Sequence, residues 1–396
     1  MRSDRGVVYG AVAVLLFVGA LEALAAKGAA RAKRSKRSAP RAVVFTVPEH
    51  DPEYPLTVRE RALAEELATL WTRDAGRLVH VLSRAAAEGG SDRLTLLLAI
   101  AHAETNGRIL LVSEAGAVGL AQATPVAYIA EGFTGPLHVT DDYLRGSRAY
   151  IMKKPLGDVA RIASMLLEAG PDERIGGKAA EMLADAFRYR REGVDELLLL
   201  ERWGDEAWLE AIRRDEQRNL RMLTDLEAVL GRGAPRPELE EIHERARSGY
   251  RSEIELQRTS WRRYQRDLLA RRDAVLRARF GGDPEAIAKS RAYEAGVVLA
   301  SELDERFSPP AMARFLVQHV DTKLGQARAL GAPDESLERL TAALYNGGGH
   351  NVKRMRSGLI VSLPETERYS AKVPATRMRL DRAAASIRSS ESVGGR

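Results

Sequence analysis

The first segment with candidate catalytic residues contains a single carboxylate followed by a glycine-rich loop. Glu104 stands at the end of an apolar helical pattern, and Ser113 follows it by nine residues. Gly116, Gly119 and Gln122 come next. The glycines permit tight turns and a close approach of the backbone to a ligand, while Ser113 and Gln122 supply hydrogen-bond donors and acceptors. The segment therefore combines one acid with a loop suited to a polar substrate.

The pattern before Glu104 predicts that its side chain faces inward. Leu97, Ala101 and Glu104 share one stripe of a helix, because residues three and four apart lie on the same face. Burial raises the pKa of a carboxyl group, so that it can hold a proton near neutral pH and give it to a leaving group. Glu104 is therefore predicted to be a general acid. The alternative is an ordinary solvated residue near a helix end.

Two later segments add hydroxyl, amide and carboxylate groups. Residues 344–349 read Leu-Tyr-Asn-Gly-Gly-Gly, and residues 364–369 read Pro-Glu-Thr-Glu-Arg-Tyr. In their order and internal spacing, the three segments resemble the motifs of lytic transglycosylases of the soluble-transglycosylase type. Those enzymes have a lysozyme-like fold and cleave bacterial peptidoglycan. The sequence departs from the usual family residues at three positions, where Ser, Met and Ala are replaced by Thr105, Ala121 and Leu344.

The resemblance implies that Glu104 is catalytic and that six residues bind substrate or shape its cleft: Ser113, Gln122, Tyr345, Asn346, Glu365 and Tyr369. Ser113 would lie near the acid and the acetamido group of the substrate, and Gln122 would contact a sugar. Tyr345 would stand across the cleft, and Asn346 would help to hold its loop. Glu365 and Tyr369 are interpreted mainly as structural or cleft-wall groups, with a direct sugar contact left open.

Most glycosidases use two carboxylates, whereas the motifs here offer one candidate. By resemblance, one suffices. The acid protonates the glycosidic oxygen, and the resulting carboxylate takes the proton of the sugar's own C6 hydroxyl, which attacks to leave a 1,6-anhydro-muramyl end. The resemblance implies cleavage of the β-1,4 bond between N-acetylmuramic acid and N-acetylglucosamine, with no cofactor. A hydrolytic muramidase on the same fold and a non-catalytic wall-binding scaffold are the alternatives.

Composition narrows the class of protein. The 396 residues are 45% hydrophobic and 29% charged, enough for a buried core and two folded units. The absence of cysteine excludes disulfides and thiol chemistry, and seven histidines without a close cluster argue against a metal site. We assign His102 a structural or surface role. A net charge of +6 suits an anionic partner, and the motifs favour peptidoglycan strands over nucleic acid.

The N-terminal residues 1–26 are predicted to be a signal peptide or a membrane anchor. Arg2 and Arg5 precede an apolar run over residues 7–21, and small residues typical of a cleavage site follow. Residues 27–41 contain seven basic side chains and no acid, which opposes the positive-inside tendency for an uncleaved anchor. We expect export to the periplasm or cell envelope, with cleavage and inner-membrane anchoring both open. Residues 27–58 are predicted to be a basic flexible linker.

The remaining chain predicts a mainly α fold in which residues 59–135 and 310–378 form a lysozyme-like catalytic domain split by a helical insertion at 136–309. Within it, apolar residues between 209 and 230 recur at heptad spacing, and a second long helix is predicted over about residues 238–279. We expect an antiparallel helical hairpin at about 195–280. Its two helices would bury their apolar stripes against each other, so that the hairpin could be removed from the catalytic domain. Its outer face is interpreted as solvated, with partner binding as the alternative. Residues 379–396 are predicted to be a tail.

Overall fold

The computed structural model describes residues 55–72, 74–169, 173–357 and 363–393. These residues are mainly α-helical, as predicted. The predicted signal peptide or anchor at 1–26 and the linker up to residue 54 lie outside the described residues. Among the described helices, none combines the length and the hydrophobicity that a bilayer crossing requires.

The described ranges contain fourteen α-helices and two 3-10 turns, the turns being Glu201–Trp203 and Glu305–Phe307. In chain order the helices are α1 (Val58–Thr69), α2 (Ala75–Glu88), α3 (Leu94–Thr105), α4 (Pro125–Ala130), α5 (Asp141–Ala169), α6 (Glu173–Leu198), α7 (Glu206–Gly231), α8 (Arg236–Phe280), α9 (Pro284–Ser290), α10 (Ala292–Glu302), α11 (Pro309–Ala329), α12 (Asp334–Gly347), α13 (Gly349–Arg356) and α14 (Pro364–Val393).

The main core surrounds α3. Residues 95–102 of α3 are all buried, because the apolar residues of this helix face packing partners on every side. Helix α14 packs along α1, α3 and α12, while α11 packs on α2 and α12. The C-terminal end of α3, which carries Glu104, therefore emerges where α12 and α14 are held close together.

The predicted break and the bounds of the two long helices are confirmed. Helix α7 ends at Gly231, α8 begins at Arg236, and Gly281 in a left-handed conformation ends α8. The prediction that α7 and α8 bury their stripes mainly against each other is wrong. Helix α8 makes its most extensive contacts with α5, and α7 packs on α5 and α6 more than on α8. Heptad spacing specifies that a stripe is buried but leaves its partner unspecified.

The distal ends of these helices form a four-helix cluster of their own. Each helix contributes buried apolar side chains, among them Val159 and Ile162 of α5, Met182 and Leu183 of α6, Leu223 and Leu226 of α7, and Leu239 and Ile242 of α8. The other half of α8 enters the main core through Tyr264, Leu268 and Leu276, which are fully buried. The segment at 195–280 is therefore no separable appendage, because its removal strips buried side chains from the core around α3.

The C-terminal segment also differs from its prediction as a tail. Helix α14 continues to Val393, and Leu380 within it is fully buried in the main core. Arg379 fixes the same part of the helix to α1, where it donates hydrogen bonds to Glu66 at 2.7 Å and to Thr69 at 3.2 Å. This part of α14 is thus fixed to the folded core through Leu380 and Arg379.

Candidate active site

Glu104 lies in the last turn of α3 and is half-buried. Burial raises the pKa of its carboxyl group from 4.5 to about 7. The Tyr369 hydroxyl lowers this pKa, the negative charge of Glu365 raises it, and the positive charge of Lys372 lowers it. Since burial outweighs the other effects, a large fraction of Glu104 holds its proton at neutral pH. The side chain has the protonation behaviour that a general acid requires.

Tyr345 and Tyr369 stand beside Glu104. Their rings are parallel to within 3°, with centroids 6.4 Å apart. Burial raises the pKa of both phenols well above the usual value, and the charge of Glu104 raises each of them further. The Tyr345 hydroxyl donates to the carbonyl oxygen of Ala121 at 2.8 Å. The buried Tyr369 hydroxyl has no partner of normal hydrogen-bond geometry in the described part of the chain, so its contact with Glu104 is a loose one.

The loop after α3 is shaped by the side chains of Ser113 and Gln122. Ser113 Oγ accepts a hydrogen bond from the backbone N–H of Ala117 at 2.9 Å. Gln122 has a left-handed φ of 49°, and its Nε2 donates to the carbonyl oxygen of Gly119 at 3.0 Å. Neither side chain is hydrogen-bonded to Glu104. Both residues therefore hold the loop, and their contacts with a sugar remain predictions.

The two glycines of this loop are required by protein packing. Gly116 and Gly119 each have a φ of 73°, which favours glycine. A Cβ at Gly116 would lie 2.2 Å from Cε1 of Tyr264, and a Cβ at Gly119 would lie 2.1 Å from the backbone oxygen of Arg306. The sequence predicted that these glycines let the backbone approach a ligand closely, whereas in the structure they let the loop approach α8 and the turn before α11.

A fully buried arginine holds this loop, and nothing in the sequence pattern singles it out. Arg306 Nη1 donates to the carbonyl oxygens of Gly116 at 2.8 Å and Ala123 at 3.0 Å. Its Nη2 donates to Asp304 at 2.7 Å and to the Tyr264 hydroxyl at 3.0 Å. Arg306 and Asp304 are both completely buried. In a sequence, Asp-Glu-Arg in a turn reads as surface charge, and only the fold reveals the burial.

Helix α8 also supports the residues that lead into the loop, just before Ser113. Gln265 Nε2 donates to the carbonyl oxygen of Val112 at 3.1 Å. Two turns further along α8, Arg272 Nη1 donates to the carbonyl oxygen of Leu110 at 2.9 Å. Because α8 supplies these donors, the segment inserted between the motifs positions the loop that follows the acid.

The second and third motifs contact each other. Asn346 Oδ1 accepts a hydrogen bond from the Thr366 hydroxyl at 3.0 Å. A Cβ at Gly347 would lie 2.9 Å from Cγ2 of Thr366, so only glycine permits this approach. Asn346 therefore joins α12 to α14 and fixes Tyr345 relative to Tyr369. Glu365 is exposed, and its charge acts on Glu104 as described above.

A histidine and a carboxylate far apart in sequence meet behind Tyr345. His319 Nδ1 lies 2.6 Å from Glu131 Oε1, and the Thr322 hydroxyl donates to Glu131 Oε2 at 3.0 Å. The His319 ring packs edge-on against Tyr345, with centroids 5.1 Å apart. Burial lowers the pKa of His319 more than the Glu131 carboxylate raises it. A neutral His319 therefore buttresses Tyr345 and anchors α11 to the end of α4.

Of the two roles predicted for His102, structural or surface, the structure supports the structural one. It is buried, and its Nδ1 lies 3.0 Å from the Thr72 hydroxyl. Burial, together with the charges of Lys372 and Arg379, lowers its pKa to about 4, so it is neutral at physiological pH. Within the described ranges, no group of three or more His, Asp or Glu side chains is placed to hold a metal ion.

No protein-family model, curated protein or solved structure matches the chain. The argument for function therefore depends on the residues and geometry of the site.

Proposed function

We propose that the protein is an exported peptidoglycan lytic transglycosylase with a lysozyme-like catalytic domain that a helical insertion interrupts. The proposal rests on Glu104. Its carboxyl group is half-buried, and burial raises its pKa to about 7. It is flanked by the parallel rings of Tyr345 and Tyr369 and followed by the loop that Arg306 holds. Its substrate places the protein in the periplasm or cell envelope, at or near the inner membrane.

In the proposed reaction, protonated Glu104 donates its proton to the glycosidic oxygen as the bond to the muramyl C1 breaks. The N-acetyl group of the substrate stabilises the cationic centre. The Glu104 carboxylate then accepts the proton of the C6 hydroxyl, whose oxygen bonds to C1 and closes the 1,6-anhydro ring. The Tyr369 hydroxyl lowers the pKa of Glu104 and so stabilises the carboxylate that exists between the two proton transfers.

A hydrolytic muramidase is the second candidate, and one observation favours it. Glu365 is exposed and close enough to raise the pKa of Glu104 by charge repulsion, so a second carboxylate with access to water stands beside the acid. Retaining and inverting glycosidases both use such a pair. Mass analysis of the product ends separates the two candidates, because the transglycosylase leaves anhydro ends and the hydrolase leaves reducing ends.

We expect a basic limb in the pH dependence of kcat/KM near pH 7, because Glu104 must be protonated when substrate binds. Activity is retained below that pH and falls about tenfold per pH unit above it. In Glu365→Gln the repulsion is removed, the pKa of Glu104 falls, and the limb moves to lower pH.

The matched control for this pH profile is Glu367→Gln, the same substitution at another exposed glutamate of α14, which is not among the groups that shift the pKa of Glu104. Its limb should coincide with that of the wild type. A Glu365→Gln limb at the wild-type position contradicts the electrostatic account, and a loss of all activity in that variant favours the two-carboxylate hydrolase.

A further inference from the structure

The middle of α8 carries a row of exposed arginines along one side. Spacings of four and seven residues keep their side chains on the same side of an α-helix. From its first to its last arginine, the row extends about 28 Å at the helical rise per residue. We call this row the arginine face and define it by Arg247, Arg251, Arg258, Arg262 and Arg266.

The guanidinium groups of the arginine face form no salt bridge within the described part of the chain. Arg266 Nε donates only to the backbone oxygen of Arg262, at 3.2 Å. The contrast lies within one helix, because salt bridges occupy five arginines nearer its two ends: Arg236, Arg245, Arg271, Arg272 and Arg279. The middle of α8 thus presents cations that the rest of the described protein does not neutralise.

Carboxylates within this stretch do not compensate for its positive charge. Residues 247–266 contain six arginines and two glutamates. Glu253 is buried and forms a salt bridge with Arg218 of α7 at 2.8 Å. Glu255 is exposed and accepts a hydrogen bond from the Thr259 hydroxyl at 3.2 Å. The exposed side of this stretch is therefore strongly positive.

The positive surface continues from α8 onto α5. The Lys153 ammonium group donates a hydrogen bond to the side chain of Gln257 and lies 4.9 Å from the ring centroid of Tyr150. Burial, together with the positive charges of Lys154 and Arg258, lowers the pKa of Lys153 to about 8. Cations therefore crowd together where the two helices meet.

The exposed residues between 247 and 266 include neither an apolar nor an aromatic side chain. Tyr264 is fully buried, and the Trp261 ring packs on Tyr150 with centroids 5.3 Å apart. Single-stranded nucleic acids bind basic grooves in which aromatic side chains stack on the bases, and the arginine face offers no such side chain. A convex row of cations without apolar anchors is suited to a flat anionic surface, on which it can lie without insertion.

We propose that the arginine face docks on the anionic headgroups of a phospholipid membrane, whose phosphates supply the counter-charges that the protein lacks. The choice of a membrane rests on the proposed function, which places the protein in the cell envelope. The arginine face ends beside Gln265, which together with Arg272 donates to the residues that lead into the loop of the candidate active site. Docking through α8 would therefore set the orientation of that site relative to the membrane.

A fluorophore attached at the arginine face tests this docking directly. The chain contains no cysteine, so Ser248→Cys, an exposed position beside Arg247, supplies one attachment point. The labelled full chain is mixed with vesicles of about three parts phosphatidylcholine and one part phosphatidylglycerol, or of phosphatidylcholine alone. We expect a polarity-dependent change in fluorescence with the anionic vesicles only, and its loss as salt is raised, because salt screens exposed charges. The signal reports contact at residue 248 itself, so membrane binding by residues 1–54 does not produce it.

Removal of three arginines from the arginine face should weaken docking about a hundredfold, since each arginine near an anionic membrane strengthens binding about fivefold. The variant combines Arg258→Gln, Arg262→Gln and Arg266→Gln. Its matched control removes the same charge from exposed positions of α7, through Arg213→Gln, Arg214→Gln and Arg221→Gln. The control should dock like the parent. A second label at Ala184→Cys, exposed on α6, should show no change with either kind of vesicle.

Four results overturn the docking proposal. The label at residue 248 does not respond to anionic vesicles, it responds equally to both kinds of vesicle, the three substitutions in the arginine face leave its response unchanged, or the α7 control weakens that response equally. In the first case, a response to inorganic polyphosphate identifies a linear polyanion as the partner instead of a membrane.

The docking and the proposed function can fail separately. Vesicle binding requires no catalysis, and the substitutions in the arginine face should leave the cleavage of soluble glycan fragments unchanged. Docking by a wild-type protein that cleaves no glycan contradicts the proposed function and keeps the membrane surface. Cleavage without docking contradicts the membrane surface and keeps the proposed function.

Discussion

Glu104→Gln is expected to abolish glycan cleavage while leaving the protein folded. The amide has nearly the shape of the acid, but it can neither donate the first proton nor accept the second. General acid–base catalysis contributes about 10²–10⁴-fold, and a residue that serves in both steps should account for at least about 10³-fold in kcat. The measurement is release of soluble fragments from purified peptidoglycan, with circular dichroism to verify folding.

The matched control for catalysis is Glu114→Gln, the same substitution at an exposed position of the loop that follows α3. It should retain close to full activity. Activity near the wild-type level in Glu104→Gln means that Glu104 is not the acid, and an equal loss in Glu114→Gln means that the loop, and not the carboxyl chemistry, is being disturbed.

Glu104→Gln should also stabilise the protein in a pH-dependent way. The pKa of Glu104 is raised in the folded state, so the folded protein binds the proton more tightly than the unfolded chain does. Its ionisation therefore costs stability as pH rises from about 4.5, and the cost is complete above about pH 7, where it reaches up to about 3 kcal/mol. Glu104→Gln removes this cost, so its Tm should exceed that of the wild type at about pH 8 and match it at about pH 4.

Arg306→Met is expected to lower the free energy of unfolding by about 3–5 kcal/mol, because it leaves the Asp304 carboxylate buried and without its cation. It also removes the donors to Gly116 and Ala123, so the loop carrying Ser113 and Gln122 loses its support. Denaturant unfolding measures the first effect. Hydrogen exchange of the loop amides in the still-folded population measures the second.

The control for Arg306→Met is Arg236→Met, which breaks an ion pair with Glu240 on the surface of α8. The Arg236 and Glu240 side chains are 73% and 56% exposed, and such a surface ion pair contributes less than about 1 kcal/mol to the free energy of unfolding. Equal destabilisation by the two substitutions contradicts the assigned role of Arg306 as the buried support of the loop.

Local patterns predicted the helical part of this fold well. The stripe through Leu97 and Ala101 predicted that α3 is helical with Glu104 at its inner end, and the glycines at 231 and 281 predicted the ends of α7 and α8. These features depend on backbone preferences and on the period of apolar residues, both of which are written in consecutive positions.

Such local patterns could not predict contacts between residues that are distant in sequence. The heptad stripe of α7 is buried as its spacing predicts, yet the chain order suggested α8 as its partner and the structure gives α5 and α6. The pairing of Glu131 with His319 spans 188 positions, and neither residue has a neighbour that marks it. Arg306 differs from the many surface arginines only by its burial, which is a property of the completed fold.

The motif residues divide into one carboxyl group with a raised pKa and several residues that support the fold. Glu104 has the raised pKa that its position on an apolar helix predicted. Asn346 and the two loop glycines, by contrast, are used to bring protein segments together. A motif thus marks residues that the site requires without stating whether they contact substrate or hold the residues that do.

The measurement that tests the central claim most directly is mass analysis of the fragments released from purified peptidoglycan, with and without borohydride reduction. The account predicts muramyl ends that are lighter than reducing ends by one water and that resist reduction, because the C6 hydroxyl of the sugar replaces water as the nucleophile. Reducing ends that take up hydrogen on treatment with borohydride contradict the lytic mechanism, and an absence of any cleavage by the wild-type protein contradicts the enzymatic role of Glu104.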